Sequence, residues 1–377
     1  MSTLKTLVVG GGIGGLSAAI AMRQVGLDVK VIEKQPDLHS SIYGVGIIQP
    51  MNALRALDAI GCAEACVEVG FAADGWASMY DVDGNLLREM HGARIKDSKW
   101  PPMNGVTRPN LHRILTERAL EVGVEIEYST TFVELLQDET GVDVSYEDER
   151  TERYDFVVGA DGVRSQVRAY VLDAELKPKY IGQSAYRVNI PRLPEIDRII
   201  LQDGPNGMAG YVPISPDLAY LFFNAAMERS ARPAQADMAT ELKRLLEPYG
   251  GLSAKIRDEY INDPEDVVLR PEEAMIAPAP WHRGRIVLMG DAVHAITPHL
   301  GQGAAQAIED GVVLADCLAK HDTLQAAFVE YTERRYERCK LIVETSMAIG
   351  QWETGNLPDF DNVAATNHVL EVMASPI

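Results

Sequence analysis

Apolar and polar positions along this chain switch repeatedly between a period of two and a period near 3.6, which predicts strands and helices in alternation. Residues 6–9 form a short apolar run that stops at glycine. Residues 13–25 then carry small and apolar side chains at helical spacing, with Gly26 as the stop, and residues 28–34 return to a strand pattern. Residues 4–34 therefore read as one strand, turn, helix and strand unit of an α/β domain. Leu111, Ile114, Leu115 and Leu120 fall on one helical face after Asn110, a suitable N-cap, and before Gly123. Strand-like runs at 131–136, 142–147 and 153–158 predict an antiparallel meander. Four more between 186 and 227 (YRVNI, RIILQ, GYVPI, AYLFF) predict a second sheet. A helix is expected over 237–249, with Leu242, Leu245 and Leu246 on one face. A strand is expected over 283–288, and a long helix from about Ala304.

Charge narrows the partners. The chain holds 35 Lys and Arg against 55 Asp and Glu, a net of −20, and so repels phosphate backbones and anionic membrane surfaces. Nucleic acid and membrane are excluded as expected partners. No run of 18 apolar residues occurs, and the small-residue run after Lys5 is too rich in glycine for a signal peptide. Four scattered cysteines, Cys62, Cys66, Cys317 and Cys339, form no disulfide framework and point to a reducing, cytoplasmic compartment.

Three motifs carry the chemistry. Gly10, Gly12 and Gly15, with Ile13 and Gly14 among them, form G-x-G-x-x-G between a strand and a helix. That is the arrangement that brings a pyrophosphate to a helix N-terminus. Glu33, 18 residues beyond Gly15 at the end of the second strand, can accept hydrogen bonds from a ribose. Downstream, DFVVGADGVRSQVR carries Asp161 and Gly162 after a strand. GRIVLMGDAVHAITPHLGQG carries Asp291, Pro298, Gly301 and Gly303 at the mouth of a helix.

With these motifs in order from residue 4 to about 340, the chain resembles the single-component FAD-dependent aromatic hydroxylases, the class A flavoprotein monooxygenases. The resemblance implies an FAD-binding, three-layer Rossmann-type domain from residues 1–70, 101–175 and 271–320. Interleaved with it would be a substrate domain with a mixed or antiparallel sheet, from residues 71–100 and 176–270, and residues 321–377 would follow as helices. Asp291 is implied to hold ribityl hydroxyls. The helix from Gly303, with Gln302 and Ala304 beside it, would point its N-terminus at the flavin. Asp161 and Gly162 would serve the FAD pyrophosphate and NAD(P)H docking. Arg108, Lys34, Val45, Gly46 and the backbone at Phe132 match further cofactor-lining positions. There is no second G-x-G-x-x-G, as in this family, where NADH or NADPH binds without a Rossmann domain of its own. No W-x-W-x-I-P run marks a halogenase.

On the substrate side, the resemblance places the ring under the middle sheet, covered by the loop from Pro298 to Gly303 and lined by Tyr211, Tyr220, Arg187, Met208 and His299. Tyr211 and the pair Pro298-His299 match residues that act on substrate in 6-hydroxynicotinate hydroxylases, and salicylate hydroxylases also carry Pro-His here. Ile48 stands where the hydroxynicotinate enzymes place a second histidine. Urate hydroxylases match at Tyr220 but differ at Met208 and His299, which disfavours urate. The implied reaction is reduction of FAD by NAD(P)H, addition of dioxygen to give a C4a-hydroperoxide, and attack by an electron-rich phenolic or N-heteroaromatic ring. In it a neutral His299 would take or relay the ring proton and Tyr211 would fix the ring. Partners are then a small aromatic substrate, NAD(P)H and dioxygen, with a homodimer left open. Two alternatives stand beside this reading: a larger polycyclic or alicyclic substrate on the same fold, and a flavin-binding redox module without turnover.

Overall fold

The computed structural model describes residues 4–37, 46–172 and 176–377. The first unit forms as its pattern predicts, with strand Lys5–Val9, helix Ile13–Gln24 and strand Asp28–Ile32. Leu7, Val8 and Val31 are fully buried, as expected where a parallel sheet is covered on both faces. Six strands make this sheet, in the order His282–Arg283, Ile286–Leu288, Phe156–Gly159, Lys5–Val9, Asp28–Ile32 and Glu125–Glu127. All neighbours are parallel except the first pair. Helix Gly303–Lys320 packs on helix Ile13–Gln24 at backbone distance, since a Cβ on Gly311 would stand 2.6 Å from the Ala18 nitrogen.

Three predicted boundaries shift, each for a local reason. The run 153–158 is two strands: Thr151–Tyr154 closes the meander with Val142–Tyr146 and Phe132–Gln137, and Phe156–Gly159 enters the central sheet. The chain turns at Asp155, whose carboxylate accepts the Lys5 N–H at 2.6 Å. The run 283–288 likewise breaks, at Gly284, where φ is +59°. The helix expected after Asn110 begins earlier, as Arg108–Glu121. Its cap is Thr107, which accepts the Asn110 N–H at 3.3 Å, and Pro109 sits in the first turn, where its missing N–H costs nothing.

The second sheet has eight strands, in the order His294–Ala295, Val268–Ile276, Lys179–Pro191, Leu218–Ala226, Gly207–Pro213, Ile199–Gly204, Ala77–Tyr80 and Leu86–Met90. Its pairs are antiparallel except Ile199–Gly204 with Ala77–Tyr80. Strand Val268–Ile276 belongs here, so a domain boundary at residue 271 would cut through a strand. Alternation divides the two faces of the sheet. Tyr186, Val188, Tyr211, Leu221 and Phe223 pack with Leu242 and Ile256 in a closed core, and the opposite face floors the cavity described below. A three-stranded sheet of Gly46–Pro50, Met103–Thr107 and Phe71–Ala73 backs onto strand Gly207–Pro213, where Gly105 leaves room for the Pro213 carbonyl and nothing more.

Residues 321–377 form helices Leu324–Glu353 and Asn362–Ala374, capped by Thr323 and Asp361. Arg335 on the first of these is fully buried and binds Glu309 at 2.7 Å and Asp310 at 2.6 Å. No described helix is long and apolar enough to cross a membrane.

Candidate active site

The glycine loop is shaped by contacts that only hydrogen permits. Gly10 has φ +109°, and a Cβ there would lie 2.5 Å from the Ala160 carbonyl oxygen; one on Gly15 would lie 1.9 Å from the Gly10 oxygen. Gly14 lies against Ala307, where an added Cβ would be 3.2 Å from the alanine methyl. Gly12, Gly162 and Gly303 differ from these, because a Cβ at any of them would meet no protein atom within 4 Å. Together they offer bare backbone to open space. Helices Ile13–Gln24 and Gly303–Lys320 have no side-chain cap and no acidic residue in their first turns, so their leading N–H groups stay free for an anion. Thr107, Thr323 and Asp361 close three other helices in the ordinary way.

A cavity of about 470 Å³ lies beside this loop, lined by Gly11, Gly12, Ile13, Glu33, Arg108 and His112 among others. Glu33 accepts the Gly11 N–H and the Gln35 N–H, both at 2.9 Å, and so fixes the loop as well as lining the cavity. His112, which sequence reasoning missed, bonds through Nε2 to the Gly11 carbonyl at 2.7 Å. The carbonyl can only accept, so Nε2 carries the proton, and the buried Nδ1 has no partner among the described residues. Such an orphaned atom, the uncapped helices and the three bare glycines fit FAD, with its pyrophosphate at the glycine loop.

Other residues predicted to line the cofactor are held differently. The Asp161 carboxylate is taken up by its own loop, accepting from Ser165 Oγ at 2.5 Å and from the Gln166 and Val167 N–H groups at 2.6 and 3.1 Å. Buried Arg168 ties that loop to the Ala292 carbonyl at 3.0 Å, next to Asp291. Asp291 is open to solvent on one side, yet burial pushes its carboxyl above the usual range, against the pull of His294 and Arg108. Burial also lowers the Arg108 pKa. Asp310 holds the Gly290 N–H at 2.8 Å and His294 Nε2 at 2.6 Å, so the Arg335 network sets the turn that presents Asp291. His294, Asp310 and Cys339 lie close enough to share a cation, but the Arg335 guanidinium already supplies the positive charge there. Gln302 is buried and paired with Asn52 and Gln306, and Ala304 lies in the first turn of its helix. Lys34 is exposed, and Phe132 packs in the core against Tyr170 with ring centroids 6.1 Å apart; neither lines the cavity beside the glycine loop. Gly46 presses on Ile214 and Tyr220, and Val45 lies outside the described residues.

The second cavity encloses about 790 Å³, its open mouth included. Six of the predicted substrate residues line it together: Ile48, Arg187, Met208, Tyr220, Pro298 and His299, with Gly301 at the edge. Gly301 is left-handed at φ +62°, and its backbone rests on Ile48. Arg187 has no hydrogen-bond or ion-pair partner among the described residues. Burial pushes the Tyr220 hydroxyl up to about 12.

Tyr211 is the correction. It faces the other side of the sheet, fully buried, with its hydroxyl 2.6 Å from Ser253 Oγ. Met208 and Tyr211 are three residues apart on one strand, and an odd separation puts them on opposite faces.

His299 also differs from expectation. Its side chain is 1% exposed, Nδ1 lies 3.0 Å from Thr297 Oγ1, and Nε2 lies 3.4 Å from both Glu272 Oε2 and Glu353 Oε2. Burial alone would lower its pKa, but the two carboxylates outweigh burial and push it up to about 9. His299 is therefore a cation at neutral pH, not the neutral base the sequence suggested. Glu353 Oε2 is further held by Gln183 Nε2 at 2.9 Å and Asn224 Nδ2 at 3.0 Å, while burial raises the Glu272 carboxyl. Gly350 lets the last long helix approach, since a Cβ there would stand 2.8 Å from Gln183 Oε1 and 3.1 Å from the His299 ring. Glu272, Glu353, Gln183 and Asn224 were all missed from the sequence. Asn224 alone left a signal, as an amide inside the apolar run of strand Leu218–Ala226.

Arg108 of the first cavity lies in the field of Arg187 of the second, and the fold and site together define an FAD-dependent monooxygenase of the single-component aromatic hydroxylase class. The chain belongs to the FAD binding domain family, which matches residues 3–346. It is 33% identical over 360 residues to the aurachin C monooxygenase/isomerase of Stigmatella aurantiaca, covering 93% of this chain and 90% of that one. It is 32% identical over 358 residues to the 6-hydroxynicotinate 3-monooxygenase of Pseudomonas fluorescens, covering 91% and 90%. The crystal structure of Klebsiella pneumoniae HpxO complexed with FAD and uric acid shares the fold, with TM-score 0.83 at 22% identity over 98% of this chain and 92% of that one.

Proposed function

We propose that this enzyme hydroxylates an electron-rich phenolic or N-heteroaromatic ring, using NADH or NADPH and dioxygen. The observation that carries the reading is the Arg187, His299 and Glu353 cluster, set on the same cavity as the Pro298–Leu300 turn that leads to the uncapped helix at Gly303. FAD, when bound, supplies the activated oxygen. The chain's own part is position and charge. Arg187, an unpartnered guanidinium, orients an ionised hydroxyl or a ring carbonyl, and ionising the ring makes it a better nucleophile. The charged His299 donates rather than accepts. Glu353 is then the acceptor for a ring proton, because its three polar contacts fall on Oε2 and Oε1 has no partner among the described residues.

Anaerobic stopped-flow absorbance of the FAD-loaded enzyme with NADH or NADPH tests this. Hydroxylated aromatic acids, pyridinols and quinolones form the screen, with urate as the compound expected to be inert. A true substrate should speed flavin reduction roughly tenfold or more, about 1.4 kcal/mol off the barrier, and yield an oxygenated product in air. Flavin that no ring compound affects would overturn the proposal.

A further inference from the structure

The floor of the larger cavity changes character in one direction. Strand register sets a row across the sheet: Arg187 opposite Phe222, Phe222 opposite Gly210, Gly210 opposite Leu201 and Leu201 opposite Met79. At about 4.8 Å per strand the row spans roughly 19 Å. Its first end is polar, with Arg187 and Asn224 in the floor and His299 and Glu353 against them. Past Gly210 every lining residue is apolar: Leu201, Met79, Ile199, Met90 and Trp76. The Phe222 ring lies across Gly210, where a Cβ would stand 2.0 Å from it, and so continues the floor toward Leu201. Met79 and Leu201 are half-buried although their strands lie inside the sheet: they pack against the Trp76, Met90 and Ile199 cluster and also line the cavity. Helix Asn362–Ala374 contributes Asn362, Val363 and Thr366 to the wall.

We propose that the substrate ring carries an apolar substituent, an alkyl chain or an aryl group, which runs from the polar end over Phe222 and Gly210 into the annex between Leu201, Met79, Met90 and Trp76. The proposal rests on the hydroxylase reading above. A charged or hydrogen-bonding tail would lose its water in the annex, where the floor is apolar and the wall's two polar side chains, Asn362 and Thr366, already bond each other at 3.2 Å, and pliant methionines adapt to chains of different length.

The test uses FAD-loaded enzyme and two probe series, 4-alkylphenols and 2-alkyl-4(1H)-quinolones, each from methyl to heptyl. Binding is read from the perturbed flavin spectrum and from accelerated reduction by NADH or NADPH. Within at least one series the heptyl member should bind roughly tenfold or more tightly than the methyl member, since each buried methylene adds to binding. Leu201→Trp, which fills the annex, should collapse that ratio while FAD content stays unchanged. Should that variant fail to fold, Met79→Phe serves instead. A ratio near one, or a ratio that survives the plug, overturns the annex and leaves the hydroxylase reading standing. If no member of either series perturbs or accelerates the flavin while another ring compound of the screen does, the annex alone falls; if no ring compound does, the hydroxylase reading falls and the annex falls with it.

Discussion

At the glycine-loop groove the working groups are backbone, with bare glycines at positions 12, 162 and 303 and two helix N-termini left uncapped, whereas at the larger cavity they are side chains from seven strands and two C-terminal helices. The two designs respond differently to change. A backbone site is specified by which residues lack a Cβ, and those must sit in short contiguous motifs. A side-chain site is specified by register, parity and packing, which bring together Ile48, Arg187, Asn224, His299 and Glu353 from positions far apart in the chain.

The largest effect should come from the network beneath the groove. Arg335→Ala removes the guanidinium that bridges buried Glu309 and Asp310, leaving Glu309 to Arg55 and Arg338 and Asp310 to His294. It should cost about 3–5 kcal/mol, read as a fall in urea midpoint together with loss of bound FAD, because Asp310 positions the Gly290 turn. A smaller loss would mean that the groove stands without this support. On the substrate side, His299 should set a pH dependence. Its folded pKa of about 9 lies above the unfolded value near 6.5, so its stabilisation is fully present below pH 6.5 and is lost as pH rises through 9. Unfolding at pH 6 and pH 10 should show wild type losing about 2–3 kcal/mol more than His299→Gln over that interval. Equal slopes would remove the charged pairing from the account.

Smaller changes sharpen the contrast. Gly15→Ala pushes a methyl into the Gly10 carbonyl and should cost about 1–3 kcal/mol of stability, with a corresponding drop in flavin retained on purification. Tyr211→Phe removes one buried hydrogen bond on the far face of the sheet. It should cost about 1 kcal/mol and leave substrate-stimulated flavin reduction and its coupling to hydroxylation at wild-type values. Gly12→Ala should leave the melting temperature almost unchanged, within about 0.5 kcal/mol, yet weaken FAD binding measured by titration, since its methyl meets open groove and not protein. If Gly12→Ala and Gly15→Ala behaved alike, the distinction between packed and presented glycines would fail.

The groove was legible in the sequence for the reason it is fragile. Strand, glycines and helix occupy one short segment, and the Asp161 and Asp291 turns follow strands with plain apolar patterns. The substrate face was only half legible. Tyr220, Arg187 and Met208 do line one cavity together, but parity along strand Gly207–Pro213 already forbids Tyr211 from sharing a face with Met208, and that rule went unused. Glu353 could not have been found, because it ends a 30-residue helix with no motif, and only the fold carries that helix end to His299. Glu272 was hidden similarly, inside a strand read as a domain boundary. The split strands at Asp155 and Gly284 show the same limit on a smaller scale, since a turn made by one backbone contact leaves no hydrophobic period behind.

The most direct measurement of the central claim is the origin of the product oxygen. With FAD-loaded enzyme, NADH or NADPH and a ring compound that accelerates flavin reduction, turnover under ¹⁸O₂ should give a product whose new hydroxyl carries the label. A product labelled only from H₂¹⁸O, or stoichiometric hydrogen peroxide with every ring compound tested, would contradict it.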